Sequence, residues 1–263
     1  MPRINAVLSQ VENVVAQSTF ENYPDFWEEN HITFDLLKGL RKALNFCEIE
    51  NASNNVTINW RIYKQRKKEN ERDYGDIALI VKMLYQDKDE LEGVAFLEAK
   101  RKFENTLAFD SAKTDQLKRI DDHSTTAMML LYDFSDITKF ATIEALSNYR
   151  QEWFELRPCT HAVVLPIKTA LRIGRYNMSL YKFSLPFSYQ LFFRYFNGFD
   201  LDFTPSSLSV AKGFADQKGM PSYVITASVG INREIKEYTT QVNNETFAEF
   251  NEGSQFSDYH SEG

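Results

Sequence analysis

The chain is poor in the residues that build self-contained reactive sites. Its 2 cysteines, Cys47 and Cys159, are too few for a disulfide framework and lack the paired spacing of a thiolate zinc site. Among its 4 histidines, His123, His161 and His260 share no ligand spacing, and His31 reads as a capping or surface residue. Neither a histidine metal site nor a Ser-His-Asp or Cys-His arrangement can be assembled from them. No Gly-x-x-x-x-Gly-Lys loop cradles a phosphate, so any nucleotide hydrolysis has to come from a partner such as an ATPase subunit. No apolar run is long enough to span a bilayer, and Met1-Pro2-Arg3-Ile4-Asn5 leads into a polar amphipathic stretch instead of a signal-peptide core. The expectation is a cytoplasmic protein with no membrane partner.

What the chain does have is apolar bulk: 43% hydrophobic and 14% aromatic residues over 263 positions, ample for a core. Of the net charge of −7, residues 236–263 alone account for −5. The rest is nearly neutral, so the overall acidity does not exclude a nucleic-acid partner, which is gripped by local basic patches.

Periodicity divides the chain into elements. Ile4, Val7, Leu8, Val11, Val14 and Val15 predict a helix over 4–17, and Ile32 to Leu44 a second, led by Glu28 and Glu29. Val56 to Tyr63 alternates as a strand. The charged stretch from Lys64 to Asp73 reads as a loop. Ile77 to Tyr85 and Val94 to Ala99 form a hairpin about the Gln86–Glu90 turn. A helix over 106–121 and a buried strand over 126–132 follow. Beyond them come a helix over 138–154, a strand over 161–167, an aromatic helix over 184–196 stopped by Gly198, and a last strand over 221–231. From Lys236 onward the chain has no apolar period, which predicts a disordered acidic tail.

The chemistry is concentrated at one end of the hairpin. Residues two apart on a strand share a face, so Glu98 and Lys100 project together with Ala99 opposite. Folding the hairpin brings Asp76, at the start of the preceding strand, close to them. Two carboxylates and an ammonium at the end of a buried strand are costly unless something pairs them. Mg²⁺, with Mn²⁺ as a substitute, suits Asp76 and Glu98, and the Ala99 carbonyl could add a ligand.

Gly75-Asp76 with Glu98-Ala99-Lys100, in the order helix, three strands, helix, strand, resembles the PD-(D/E)XK nuclease superfamily. Gly75 stands where the name's proline would be. The resemblance implies an α/β fold: a restriction-endonuclease-like αβββαβ core with a mixed central sheet flanked by helices, over 28–170. An N-terminal helical segment (1–27) precedes it; a C-terminal α/β extension (171–235) and the tail (236–263) follow. It also implies a metal-dependent endonuclease acting on DNA, in restriction or anti-phage defence, working as a homodimer or higher oligomer. The catalytic set becomes Asp76, Glu98 and Lys100, joined by Glu28 or Glu29 from the first core helix and Gln116 from the helix after the lysine. A catalytically inactive nuclease-fold subunit and an RNA-directed nuclease are the alternatives.

Around this set, Lys102, Lys118 and Arg119 are candidate phosphate contacts, as are Lys67 and Lys68 of the charged loop, where Glu69, Glu71 and Asp73 offset the basic residues. The aromatic run from Tyr181 to Phe199 could stack bases, but such a helix is more often core or interface.

Overall fold

The computed structural model describes residues 3–50, 55–66, 73–109, 112–141, 159–215, 219–235 and 240–250. Two helices open the chain, α1 (Ile4–Asn22) and α2 (Glu29–Leu44). Each carries an apolar stripe at helical spacing, and the two stripes bury Val7, Leu8, Val11 and Val15 with Leu36, Leu37, Leu40 and Leu44. The strands follow as β1 (Cys47–Glu50), β2 (Asn55–Gln65), β3 (Ile77–Tyr85) and β4 (Glu90–Arg101). After α3 (Thr114–His123) come β5 (Met128–Ile137) and β6 (Thr160–Pro166). The chain closes with α4 (Ile167–Ile173), β7 (Leu185–Pro186), a helical run over 187–197, α5 (Pro205–Ala211), β8 (Tyr223–Ile231) and β9 (Phe247–Glu249).

Among the described residues nine strands form one mixed sheet in the order β1-β2-β8-β3-β4-β5-β6-β7, with β9 paired to β2. Strand alternation sorts its side chains into two cores. Ile58, Trp60, Ile62, Ile77, Leu79, Ala95, Leu97 and Ala99 face α1, α2 and the 187–197 run. Ala78, Ile80, Val94, Phe96, Met129 and Leu131 face α3, α4 and α5. A sheet covered on both faces explains why β3 and β4 read as near-continuous apolar runs. Among the described residues no helix is long and apolar enough to cross a membrane.

Several expectations are corrected. β8 lies between β2 and β3, antiparallel to the first and parallel to the second. The stretch 171–235 therefore supplies a central strand of the core sheet, and β2, β3 and β4 do not form an unbroken meander. Residues 240–250 are not a disordered tail: β9 pairs Phe247 with Gln65 and Glu249 with Tyr63, and Val242, Phe247 and Phe250 are buried. Three apolar side chains spaced along a polar stretch leave no period to detect, yet suffice to dock it. Helix α3 begins only at Thr114, because the backbone N–H of Phe109 is taken by the Tyr176 carbonyl and Ala108 bridges Asn177. The short strand β1 was not anticipated. Most of the helix expected over 138–154 lies outside the described residues, as do Lys67, Lys68, 236–239 and 251–263.

The aromatic run is helical but irregular, passing from α through π to 3-10 hydrogen bonding before Gly198 ends it at φ +81°. Phe187, Tyr189, Phe192, Tyr195 and Phe196 are buried against the sheet. Its aromatic content serves the core.

Candidate active site

The hairpin register pairs Ile77 with Leu97, and one residue earlier the chain leaves the ladder through Gly75. Gly75 has φ +81°, and a Cβ there would meet the Leu97 carbonyl oxygen at 2.8 Å. Only glycine is comfortable in that left-handed conformation so close to a neighbouring backbone. Proline, locked near φ −65°, could not adopt it. The turn sets Asp76 over the end of β4: its N–H donates to the Leu97 carbonyl at 2.8 Å, and its carbonyl accepts from Tyr223 of β8 at 3.0 Å. Its side-chain Oδ2 accepts the backbone N–H of Ala99 at 2.9 Å.

On β4, Glu98 and Lys100 share the face that looks toward α3, and the ammonium donates to Glu98 Oε1 at 2.5 Å. Gln116 Nε2, from α3, donates to the same oxygen at 2.6 Å. Lys100 also reaches Glu29 Oε2 at 3.5 Å, at the first turn of α2. The neighbouring Glu28 is exposed and serves as the N-cap residue, its carbonyl accepting from Ile32. Of the two carboxylates, Glu29 is thus the one gathered into the cluster. Asp76, Glu98, Lys100, Glu29 and Gln116, drawn from the ends of two strands and from two helices, meet at one end of the sheet.

The cluster is buried and electrostatically loaded. Glu98 is 1% exposed and Lys100 4%. Burial pushes the Glu98 carboxyl up to about 8, the Asp76 charge adds to the rise, and Lys100 pulls the other way without cancelling it. For Lys100 burial disfavours the charge, but the carboxylates of Glu98, Asp76 and Glu29 outweigh it and raise the pKa, so the ammonium stays protonated. Glu98 Oε2 is buried with no hydrogen-bond partner. A buried carboxylate oxygen in that condition, beside a second carboxylate, is what a hard cation would satisfy. Among the described residues no group of three or more His, Cys, Asp or Glu is arranged to hold a metal. Asp76 and Glu98 nonetheless bring a set of two carboxylates to this end of the sheet. That is a set suited to Mg²⁺, which keeps waters and substrate oxygens among its ligands.

The candidate phosphate contacts divide. Lys118 is exposed on α3. Arg119 is held by Asp73 Oδ1 at 2.9 Å, three residues before Asp76. Lys102 is not at the surface: it is 4% exposed, paired with Asp133, bonded to Ser135 Oγ at 3.1 Å and set 4.3 Å from the Phe134 ring centroid. Asp133 is itself held by the Tyr181 hydroxyl at 2.7 Å. Lys102 is an internal cation satisfied by its own partner, so its expected contact with nucleic acid is withdrawn. His31 stands edge-on to Phe26.

Two features escaped the sequence. Lys64 belongs to β2, not to a loop; it is buried, with its ammonium 5.6 Å from the centroid of the Tyr223 ring. Its even-numbered parity with Ile58, Trp60 and Ile62 was the available signal. Behind Glu29, Thr33 and Tyr132 share a buried hydrogen bond of 3.1 Å; nothing in spacing alone announces that pair. In comparisons with protein-family models, curated proteins and solved structures, the chain finds no match.

Proposed function

We propose that the chain is a metal-dependent endonuclease of the PD-(D/E)XK kind, hydrolysing phosphodiester bonds in DNA. The observation that carries this reading is the meeting of Asp76, Glu98 and Lys100 at one sheet end, with a buried Glu98 oxygen left without a hydrogen-bond partner. Asp76 and Glu98 would hold Mg²⁺ or Mn²⁺, which when bound polarises the scissile phosphate and lowers the pKa of an attacking water. Lys100, kept charged by Glu98 and Glu29, orients that water and balances charge building on the phosphate oxygens. Gln116 holds Glu98 in its rotamer. Gly75 fixes the height at which Asp76 meets β4.

The restriction-endonuclease-like core belongs to the same proposal, supported by the succession α2, β1, β2, β3, β4, α3, β5, which adds one short edge strand to the expected order, and by the parallel pairing of β4 with β5. So do a role in restriction or anti-phage defence, action as a homodimer or with an ATPase partner, and a cytoplasmic location. A second reading rests on Lys100, which bridges Glu98 and Glu29 and so balances much of the cluster by itself. A non-catalytic subunit that binds nucleic acid would keep the group as a structural ion pair.

Incubation with supercoiled, linear and single-stranded DNA and with RNA, in Mg²⁺ or Mn²⁺, separates these readings. Cleavage of DNA that is lost in Asp76→Ala, Glu98→Ala and Lys100→Ala is expected. Activity that survives all three substitutions would overturn the site. Cleavage confined to RNA would change the substrate, and nucleic-acid binding without cleavage would favour the second reading.

A further inference from the structure

Glu29 is the one member of the cluster that stands on a helix end facing the other side of the sheet, and a helix end is a poor anchor unless something holds it. The first turn of α2 has no side-chain cap: Glu28 at the N-cap position makes no side-chain hydrogen bond to the turn. Its tilt is therefore not set by a side-chain cap. One turn further on, Thr33 lies four residues after Glu29 and so on the same helical face. Its hydroxyl shares a 3.1 Å hydrogen bond with the Tyr132 hydroxyl. Both side chains are 1% exposed.

Tyr132 comes from β5, where it is the register partner of Arg101, one residue past Lys100 on β4. Its ring lies on the α2 side of the sheet, in the same core as Ala99 and Tyr223. Burial pushes its hydroxyl pKa up, the Thr33 hydrogen bond works the other way, and the charges of Asp76 and Glu29 add to the rise. The phenol therefore remains protonated. It is a fixed polar point in an otherwise apolar seam.

We propose that Tyr132 and Thr33 form a positioning pair that holds the first turn of α2 against β5 and so keeps Glu29 on Lys100. The pair touches neither substrate nor metal. It acts through Glu29, whose contact with Lys100 sets where that ammonium points. This inference rests on the nuclease reading and deepens it, by adding a layer behind the cleavage site.

The test uses Tyr132→Phe and Thr33→Val, which keep volume and remove the hydrogen bond, in the full chain. Mn²⁺ affinity is measured by calorimetry, kcat and KM on plasmid DNA are measured separately, and urea denaturation verifies that each variant is folded. Loss of a supporting hydrogen bond of this kind lowers metal affinity or activity by about 10-fold to 100-fold. The expected pattern is a fall in kcat with KM for DNA unchanged, the same fall in both variants, and wild-type behaviour in Thr33→Ser. In a Glu29→Gln background, Tyr132→Phe should have no further effect, because the route it acts through is already gone. A general loosening of the core would instead multiply with Glu29→Gln, and that outcome overturns the proposal. So does an unchanged kcat and Mn²⁺ affinity in Tyr132→Phe when Glu29→Gln has lost both. A wild-type protein that neither cleaves nucleic acid nor binds Mn²⁺ removes the nuclease reading itself, and this inference with it.

Discussion

The Asp76 carboxylate accepts the backbone N–H of Ala99 at 2.9 Å, so a proposed metal ligand on one arm of the hairpin is tied to the residue between Glu98 and Lys100 on the other. The site's three proposed chemical groups are thus spaced by a backbone contact, and that contact depends on Gly75.

Gly75→Ala should test this dependence. A side chain at φ +81°, with its Cβ 2.8 Å from the Leu97 carbonyl oxygen, forces the turn open and costs about 1–3 kcal/mol of stability. Activity should fall further than that loss explains, because Asp76 moves with the turn. Urea denaturation and cleavage rates, measured on the same preparation, check both halves. Gly75→Pro should be worse on each.

Glu98 makes the metal-free fold sensitive to alkali. Its folded pKa, raised to about 8 from an ordinary 4.5, means that the folded state binds the proton more tightly than the unfolded chain. The contribution is fully present below pH 4.5 and is lost as pH rises through about 8. Thermal melts of the metal-free protein across this window should show that decline, and Glu98→Gln should flatten it while abolishing cleavage. Saturating Mg²⁺ should raise the melting temperature of the wild type most at the alkaline end, where no proton competes. An identical pH slope in wild type and Glu98→Gln would refute the assignment.

Lys102 and Lys118 should behave as opposites. Lys102→Met leaves Asp133 charged in the core, and breaking a buried pair of this kind costs about 3–5 kcal/mol. Lys118 is exposed, so Lys118→Ala should leave the denaturation midpoint alone and reduce the salt slope of DNA binding by about 1. Denaturation curves and binding titrations across salt concentrations separate the two.

Truncation after Ile235 should unfold the protein. That cut removes Phe247, which is fully buried, and the strand that pairs with β2. Phe247→Ala alone should cost about 3–5 kcal/mol, read as a fall in melting temperature. A truncated chain of wild-type stability would show that β9 contributes nothing.

Much of this was legible beforehand because it is local. The stripes of α1 and α2, the bounds of β3 and the Glu98/Lys100 pair follow from side-chain periods of 3.6 and 2. The approach of Asp76 follows from a single hairpin. What failed was non-local. Lys102 has the same parity as Lys100 and follows the cationic Arg101, and only the fold reveals that Asp133 takes its charge. Val242, Phe247 and Phe250 look isolated in a polar stretch until β2 offers them an edge. The choice between Glu28 and Glu29 depends on the pitch of α2 against Lys100, which adjacent identical residues cannot disclose.

The place of β8 has a consequence for the order of events during synthesis. Tyr223 bonds the backbone of Asp76, and β8 fills the gap between β2 and β3, although about 140 residues separate its start from the end of β3. A nascent chain that has already emitted Asp76, Glu98 and Lys100 still lacks the strand on which Asp76 leans. Assembly of the cluster waits until β8 has left the ribosome, so chains that stop short of it should be inert.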